Sequence, residues 1–343
     1  MNYPDFSRVS NRLRIKTWIL TAGLASVLAG WVETRAEESV IEPLLSIEAL
    51  AYDDGWGNPF RNPSALFVDR ISGELFVSDG GNGRVVIFDL ELGHKFSLPH
   101  FVTDDLTGGR KRGEPRDLVV TADGEIILID NLADYLDVLD FRGNLLERIH
   151  LDRLLGDTTL SLKPVSLAID HDQTLYVATG GDVVTVMVLS SSFELIRTIG
   201  QGGSGPEDFN TLLDIAVWNE KLFTTDLYAE PAIKIFDISG EFRSGFGGHD
   251  VDRGGLSFPA GITIVESVLS EPLIWVVDGL RQVIKVFDME GKVVSFVGGY
   301  GAGPGEFRYP ADLTQASDSV IFLLERVGGR VQKLRVTNPV NSR

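Results

Sequence analysis

Short apolar stretches of about five to seven residues alternate with turn signals along most of this chain. In the clearest example, residues 259–298, the stretches PAGITIVE, LIWVVD, VIKVFD and VVSFVG follow one another. Gly, Pro, Asp and Asn separate such stretches, which are rich in Val, Ile, Leu and Phe. Runs of this length and composition predict β-strands, and none of them is long or periodic enough to predict a helix.

The same four-stretch phrase recurs six times, at a nearly constant period. Its copies begin at Pro63, Pro115, Pro164, Leu212, Pro259 and Pro310, with separations of 52, 49, 48, 47 and 51 residues. A fixed period of this size indicates a repeat architecture, in which each unit buries its apolar face against its neighbours. Four-stranded units arranged radially form a β-propeller. The sequence therefore predicts an all-β fold with six four-stranded blades.

The sixth copy lacks a fourth strand, and the missing strand is found at the other end of the repeat region. Residues 44–63, LLSIEALAYDDGWGNPFRNP, match the last strand and following loop of copy five, VVSFVGGYGAGPGEFRYP. We therefore expect Leu44–Leu50 to pair beside Arg330–Val336 and close the ring. Closure would remove sheet edges that could otherwise pair with other chains.

Three recurring motifs give the repeat a resemblance to a known family. The first strand carries Pro-x-(Gly/Asp)-(Ile/Leu), and the second ends in Asp followed by Asn or Arg, as in Asp79…Asn82 and Asp278…Arg281. A third strand of the form (Val/Ile)-x-(Val/Ile)-Phe-Asp follows, and then a glycine-rich loop, most complete at Gly299–Phe307. Over residues 44–336 the chain resembles NHL-repeat six-bladed propellers. The resemblance implies the fold but not the activity, because such propellers include binding modules, lyases and lactonases.

The first 36 residues have the pattern of a secretory signal peptide. A positive segment containing Arg12, Arg14 and Lys16 precedes the apolar stretch 17–32, and a small residue, Ala36, stands before Glu37-Glu38. This pattern predicts cleavage after residue 36, which leaves residues 37–343 as the propeller. An uncleaved anchor is the alternative, although the stretch is shorter than the ~20 apolar residues that span a bilayer. The chain has no cysteine, which suits a bacterial periplasmic or secreted protein with a large core.

The charge of the chain argues against nucleic acid as a partner. The formal net charge is −18, and removal of the leader, which holds five of the 31 Lys/Arg and two of the 49 Asp/Glu, would bring it to −21. Binding to phosphate backbones depends on basic neutralisation. The one basic cluster, Arg110–Arg112, reads either as a solvated loop between blades one and two or as a docking point for an acidic partner.

The mouth of the central channel is the best candidate site. In a propeller the first strand of each blade lines this channel, and the loops before the first strand and after the second strand share one face. The polar residues that the sequence places there as ligand-binding candidates are Asn62, Arg116, Asp117, Asp214, Arg308, Tyr309 and Asp312. Carboxylate and amide oxygens around one mouth could hold Ca²⁺, an arrangement that the resemblance to propeller lactonases implies.

Other residue patterns at the blade ends have structural interpretations. The acids that end the second strand (Asp79, Asp130, Asp226, Asp278 and Glu325) recur in most blades. We therefore expect them to accept local backbone N–H bonds at the turn of each blade. The five histidines fall at different phases of the repeat, so we expect exposed turn histidines rather than a zinc site. Trp56 and Tyr309 do not repeat cleanly and could contact a partner at the rim.

These observations favour an exported propeller that acts as a non-catalytic binding or scaffold module. Its partner would be a protein or a small ligand at the channel mouth, with no cofactor and with no membrane insertion of the mature chain, which we expect to be a monomer. The alternative is a Ca²⁺-dependent hydrolase or lyase with its site in the channel. Convergence of four oxygen ligands on one point would favour the enzyme, whereas mixed Arg and Asp without convergence would favour binding.

Overall fold

The computed structural model describes residues 44–103, 108–249, 253–267 and 270–337. These residues belong to one compact unit, Val40–Arg343. The predicted signal peptide, residues 1–36, lies outside the described residues.

The described chain is almost entirely β-structure. From the N-terminus to the middle of the chain the strands are β1 (Leu44–Ala51), β2 (Ala65–Asp69), β3 (Glu74–Asp79), β4 (Arg84–Asp89), β5 (His94–Pro99), β6 (Phe101–Thr103), β7 (Arg110–Arg112), β8 (Pro115–Val120), β9 (Ile126–Asp130), β10 (Tyr135–Leu139), β11 (Leu145–His150), β12 (Leu162–Ile169) and β13 (Leu175–Gly181). The remaining strands are β14 (Val186–Leu189), β15 (Leu195–Ile199), β16 (Leu212–Trp218), β17 (Lys221–Asp226), β18 (Ile233–Asp237), β19 (Phe242–Phe246), β20 (Pro259–Ser267), β21 (Ser270–Asp278), β22 (Val283–Phe287), β23 (Val293–Gly298), β24 (Pro310–Ser317), β25 (Val320–Glu325) and β26 (Arg330–Thr337).

These strands form six four-stranded antiparallel sheets, the blades of a six-bladed β-propeller. Blades one to five are β2–β5, β8–β11, β12–β15, β16–β19 and β20–β23, each in sequential order. Blade six has the order β24-β25-β26-β1. The predicted fold class is thus confirmed.

The N-terminal strand closes the ring, as predicted. β1 runs antiparallel to β26, from the pair Leu44↔Thr337 to the pair Ala51↔Val331, with one irregularity between Ile47 and Ala49. The side chain of Glu48 forms ion pairs with Lys333 and Arg335 across the two strands. Leu45 and Ile47 pack against the buried cluster between blades five and six. The two ends of the repeat region are therefore joined by main-chain bonds, charge pairs and apolar contacts.

Apolar packing between neighbouring blades supplies the core. The first strands of adjacent blades contact each other around the whole ring. Among the described residues, six clusters of buried apolar side chains each combine residues of two neighbouring blades. Phe209 and Phe307, which precede first strands, are completely buried in this way. Each blade thus buries both faces of its sheet only because it has two neighbours.

The acids that end the second strands support the loops before the first strands. Asp226 accepts hydrogen bonds from the backbone N–H groups of Asn210 and Thr211, at 2.7 and 2.9 Å. Asp278 accepts from the N–H groups of Ser257 and Phe258 at 2.8 and 3.1 Å. Asp79 and Glu325 hold the N–H groups of Arg61 and Arg308 in the same way. The interpretation of these acids as structural residues is confirmed.

Two features of the chain depart from the sequence-based expectation. Residues 110–112 do not form a solvated loop: β7 pairs with β6 in a two-stranded ribbon outside the blades, although all three basic side chains are exposed. A single turn of helix, α1 (Leu151–Leu154), connects blades two and three. No helix in the part of the chain that the structure describes is long and apolar enough to cross a membrane.

Candidate functional site

A β-bulge near the start of the first strand shapes the channel mouth. The pairing of the first with the second strand shifts by one residue between Pro115 and Asp117, between Leu212 and Asp214, and between Pro310 and Asp312. Blades three and five have the same irregularity. A bulge inserts an extra residue and re-aims the neighbouring side chain. The repeat therefore presents the residue that follows the bulge at an equivalent place in each of these blades.

Three aspartates at this position connect alternate blades to their neighbours. The Oδ2 atoms of Asp117, Asp214 and Asp312 accept the backbone N–H groups of the next blade's first strand, at 2.8, 2.8 and 2.6 Å. The donors are Leu167, Ile262 and Leu66, in that order. The second oxygen is also occupied: Oδ1 of Asp214 accepts the Ser166 hydroxyl at 2.6 Å, and Oδ1 of the other two accepts the next N–H of its own strand. Aspartates of blades two, four and six thus tie the ring together.

The intervening blades carry small residues at the same position. These are Ala65, Ser166 and Gly261. A Cβ on Gly261 would lie 2.9 Å from the Cα of Asp312, so a larger side chain does not fit there without movement. The alternation of aspartate with a small residue gives the channel a pseudo-threefold pattern. The three aspartates are therefore equivalent to one another.

The aspartates lie in a cavity of about 140 Å³ at the channel mouth. Six of the seven predicted ligand-binding residues line it: Asn62, Arg116, Asp117, Asp214, Tyr309 and Asp312. Arg308 is not part of the lining; its side chain is exposed and its N–H is bound by Glu325. The structure thus brings most of the predicted set together in one cavity, which is smaller than the roughly 300–1,000 Å³ of typical drug-sized pockets.

The three carboxyl groups have raised pKa values because they are buried and close to one another. Burial raises the pKa of Asp117 to about 6, against hydrogen bonds from the N–H groups of Leu167 and Leu118. Burial and then repulsion from Asp117 raise the pKa of Asp214 to about 7. Burial, followed by repulsion from Asp214 and Asp117, raises the pKa of Asp312 well above its usual value. The cavity therefore changes its charge close to neutral pH.

Two arginines balance part of this negative charge. The Arg116 guanidinium is committed to the protein, because Nε donates to the carbonyl of Val165 at 2.6 Å and Nη1 to Asn131 at 3.4 Å. Within the described part of the chain the Arg326 side chain has no such partners: its backbone N–H donates to the carbonyl of Tyr309, but its Nε is buried without a hydrogen bond. Burial lowers the pKa of Arg326, although Tyr309 and Asp312 act in the opposite direction.

Two residues in the wall have left-handed backbone conformations. Asn62 has a φ of 48° and Tyr309 a φ of 56°, each immediately before the proline that begins a repeat. Asn tolerates this conformation, whereas a bulky Tyr is rarely found in it. The N–H of Tyr309 is held by the Gln282 side chain at 2.7 Å, and its ring lies 5.8 Å from that of Phe258. Strained residues of this kind concentrate at functional sites.

The histidines differ in part from the expectation. His100 is buried, not exposed, at the base of the β6–β7 ribbon, 3.4 Å from Asp130 and 3.7 Å from Asp137. Burial lowers its pKa to about 4, although Asp137 acts to raise it. No histidine lines the channel cavity. Trp56 is 78% exposed but is not part of the cavity lining; its Nε1 donates at 2.8 Å to His94, which follows the turn between the third and fourth strands of blade one.

The acids of the cavity do not form a metal site. Within residues 44–103, 108–249, 253–267 and 270–337, no group of three or more His, Asp or Glu side chains could hold a metal ion. Each aspartate already directs both oxygens at donors of the protein. The lining thus does not fit the Ca²⁺ centre that the resemblance to lactonases implied, because Ca²⁺ needs six to eight converging oxygens.

Several lining residues escaped the sequence-based prediction. Arg326 and Asn131 directly follow the acid that ends the second strand, a position that glycine occupies after Asp79 and Asp278. The signal was therefore present, as polar residues at a position where other copies have none. Phe258 and Ser166 were missed because an aromatic before a first strand, or a serine within it, reads as ordinary packing.

Comparison with known proteins supports the fold. No protein-family model matches the chain, and no curated protein matches its sequence. Among solved structures, virginiamycin B lyase from Staphylococcus aureus is similar, with a TM-score of 0.52 and 12% identity over 86% of this chain and all of that one. A streptogramin B lyase has a TM-score of 0.56 and 11% identity over 88% of this chain and all of that one. Kuenenia stuttgartiensis hydrazine synthase has a TM-score of 0.52 and 12% identity, over 82% of this chain and 96% of that one.

Proposed function

We propose that this protein is an exported NHL-type propeller that works as a non-catalytic binding module, with its ligand in the channel-mouth cavity. The observation that carries the proposal is the mixed lining of that cavity, in which Asp, Arg, Asn and aromatic side chains from different blades converge. Concave sites with a few converging polar groups are typical of ligand binding. The basic ribbon starts at the same face, where Arg112 donates to the carbonyl of Asn82 in the loop after the second strand, and it extends this face for a larger partner.

The geometry favours binding over catalysis. All six oxygens of the three aspartates accept hydrogen bonds from the protein itself, so these carboxylates are held as inter-blade ties. A nucleophile or general base must form a bond to the substrate or remove its proton, whereas a carboxylate fixed to two strands contributes mainly its charge. The hydrogen bonds to neighbouring strands instead fix the aspartates as a group of negative charges in the cavity.

A lyase or hydrolase remains the second candidate function, for one reason. The pKa values of about 6 and 7 for Asp117 and Asp214 lie in the range that suits general acid–base chemistry near neutral pH. Two structures of similar fold are called lyases, but at 11–12% identity they support the fold alone.

Blocking the cavity tests the proposal. Asn131 is exposed and lines the cavity, so Asn131→Trp should obstruct the mouth without disturbing the core. Ligands found by thermal-shift screening of the mature protein should then lose most of their stabilising effect, because a ligand stabilises only the state that binds it. The matched control, Ser191→Trp, is exposed in the turn between the third and fourth strands of blade three, at the opposite face, and should bind normally.

Metal and turnover assays separate the two candidates. For a binding module we expect a chelator to leave the melting temperature unchanged and esters and lactones to remain intact. A chelator-sensitive melt together with ester or lactone turnover would establish the enzyme instead. The export part of the proposal requires a mature N-terminus at Glu37, which N-terminal sequencing of the envelope fraction measures; intact chains beginning at Met1 in the membrane pellet would indicate an anchor.

A further inference from the structure

The side chain of Arg326 places a cation in the cavity wall, and none of the residues that the structure describes is its partner. It forms no hydrogen bond or ion pair with the described residues, and its Nε is fully enclosed. By contrast, the Arg330 guanidinium, four residues further on, donates to Glu325 and to the carbonyls of Ala302, Gly303 and Glu306. An unpaired buried donor is costly, more so when it is charged. The guanidinium fork is shaped to receive a carboxylate.

The three aspartates in the same cavity favour a cation, whereas Arg326 favours an anion. Asp117, Asp214 and Asp312 each use one lone pair per oxygen for the protein donors described above, and a carboxylate oxygen can accept more than one hydrogen bond. Their mutual repulsion, visible in the raised pKa values, would be relieved by a cation placed among them. An ammonium group, which has three donors and no acceptor, meets this requirement.

The third element is the aromatic wall of Tyr309 and Phe258. Two hydrogen bonds hold the backbone of Tyr309: its N–H donates to the Gln282 side chain, and its carbonyl accepts from the Arg326 N–H. Tyr309 and Phe258 line the same cavity as Arg326 and the three aspartates. An aromatic face attracts both an apolar substituent and a neighbouring ammonium. The cavity therefore combines a carboxylate receptor, an ammonium receptor and an apolar wall within about 140 Å³.

We propose that the channel-mouth cavity binds a small zwitterion that carries both an ammonium and a carboxylate, that is, a free α-amino acid or a close analogue. The ligand carboxylate pairs with Arg326, the ammonium lies among the three aspartates, and the side chain contacts Tyr309 and Phe258. This inference rests on the proposed function, because it names the ligand class of the same cavity.

Half-ligands test the inference directly. Isothermal titration of the mature wild-type protein with L-alanine, L-leucine and L-phenylalanine should give binding to at least one of them. Propionate, which lacks the ammonium, and propylamine, which lacks the carboxylate, should each bind at least ten-fold more weakly. Affinity for the amino acid should increase between pH 5 and pH 8, as the aspartates lose their protons.

Substitutions test which residue binds the carboxylate of the ligand and which binds its ammonium. Arg326→Gln should weaken binding of the amino acid at least ten-fold without weakening binding of propylamine. Asp214→Asn should weaken binding of both the amino acid and propylamine. The matched control is Arg153→Gln, at an exposed arginine in α1, which should bind the ligands like the wild type. Melting curves confirm that each variant is folded.

The outcomes distinguish this inference from the broader proposal. Equal affinity for propionate and alanine would overturn the zwitterion in favour of a plain anion site. If none of the amino acids binds, but an uncharged compound does and Asn131→Trp abolishes that binding, the inference fails and the binding module stands. If no small molecule binds and Asn131→Trp changes nothing, both fail.

Discussion

Three carboxyl groups that share one cavity store electrostatic repulsion in the folded protein at neutral pH. A carboxyl group whose pKa is raised by folding keeps its proton in the native state over a pH range where the unfolded chain has lost it. Stability therefore falls as the pH rises from the unfolded value near 3.8 towards the folded values of about 6 and 7. We expect the free energy of unfolding in urea to increase by about 1–3 kcal/mol between pH 7 and pH 5.

Two single substitutions test whether the cavity causes this pH dependence. Asp214→Asn keeps the geometry, since the amide oxygen can accept the Ile262 N–H and the amide nitrogen can donate to the Ser166 hydroxyl. This variant should show a smaller slope between pH 5 and pH 7 than the wild type, whereas Asp123→Asn, at an exposed turn, should retain the slope. Equal slopes in both variants would mean that the overall negative charge, not the cavity, causes the effect.

Below about pH 4, carboxyl groups with lowered pKa values make stability fall as the pH decreases, and Asp54 is one of them. Hydrogen bonds from Asn58, the Trp56 N–H and Arg84 lower the pKa of Asp54 to about 2, although burial opposes them. A lowered pKa contributes stability that is lost as the pH falls from about 4 through 2. The stability maximum therefore lies between these two regimes, near pH 4–5.

A second prediction at the residue scale concerns Gly261, the small residue whose blade lies between those of Asp214 and Asp312. Gly261→Ala would place a Cβ 2.9 Å from the Asp312 Cα and 3.0 Å from its Oδ1. Overpacking of this kind costs about 1–3 kcal/mol, which urea unfolding measures. Gly299→Ala, where nothing lies within 4 Å of the added Cβ, should be nearly neutral. Comparable losses in both variants would contradict the packing argument.

The amino-acid sequence located these residues but did not reveal their relationship. Asp117, Asp214 and Asp312 stood out as polar positions in otherwise apolar strands, and they do meet in the cavity. Their hydrogen bonds to the next blade depend on the bulge at the start of each first strand. No residue type in the repeat predicts that bulge. The unpaired guanidinium of Arg326 likewise depends on which acceptors reach it.

At the scale of secondary-structure elements, the closing strand is the most consequential. β1 belongs to blade six although 278 residues separate its end from the start of β26. A chain that begins at Tyr52 would lose the seven pairs of β1 with β26 and the contacts of Leu45 and Ile47. We expect roughly 3 kcal/mol or more of lost stability from these two side chains alone, and association through the open edge of β26.

The truncation needs a comparison that keeps the strand. A chain beginning at Val40 retains β1 and should melt like the longer protein by calorimetry, with the same elution volume in size-exclusion chromatography. If the chain beginning at Tyr52 melts at the same temperature and remains monomeric, β1 does not stabilise the ring.

The blade strands could be predicted from the sequence because their apolar packing alone specifies where they lie. Each blade strand is a run of apolar residues that two neighbouring blades bury, so composition and period suffice to locate it. The β6–β7 ribbon has no such pattern. Its strands have three residues each, one of them is Arg110–Arg112, and they pair outside the blades with little apolar burial. Its formation depends on two backbone hydrogen bonds at its base. The N–H of His100 donates to the carbonyl of Gly83, and the N–H of Gly113 donates to the carbonyl of His100.

At the scale of the whole molecule, charge decides which partners can approach. The chain has a formal net charge of −18, and the basic ribbon is a local exception on the channel-mouth face. Arg110 and Arg112 lie over the ring of Phe101, at 4.8 and 5.4 Å from its centroid, which holds both cations at the surface. The ribbon thus suits an acidic protein segment, but it offers only three basic residues.

Those three residues set a limit on binding to nucleic acid, which the last prediction tests. A protein that neutralises three phosphates of a single strand has a salt dependence of about −2 in log–log terms, and such an interaction is negligible at physiological salt. The surrounding negative field weakens it further. We therefore expect no mobility shift of single-stranded RNA at micromolar protein and about 0.15 M salt. Any association at low salt should disappear in Lys111→Glu and persist in Lys163→Glu, an exposed lysine outside the ribbon. A salt-sensitive shift under physiological conditions would show that local charge at the ribbon outweighs the field of the whole molecule.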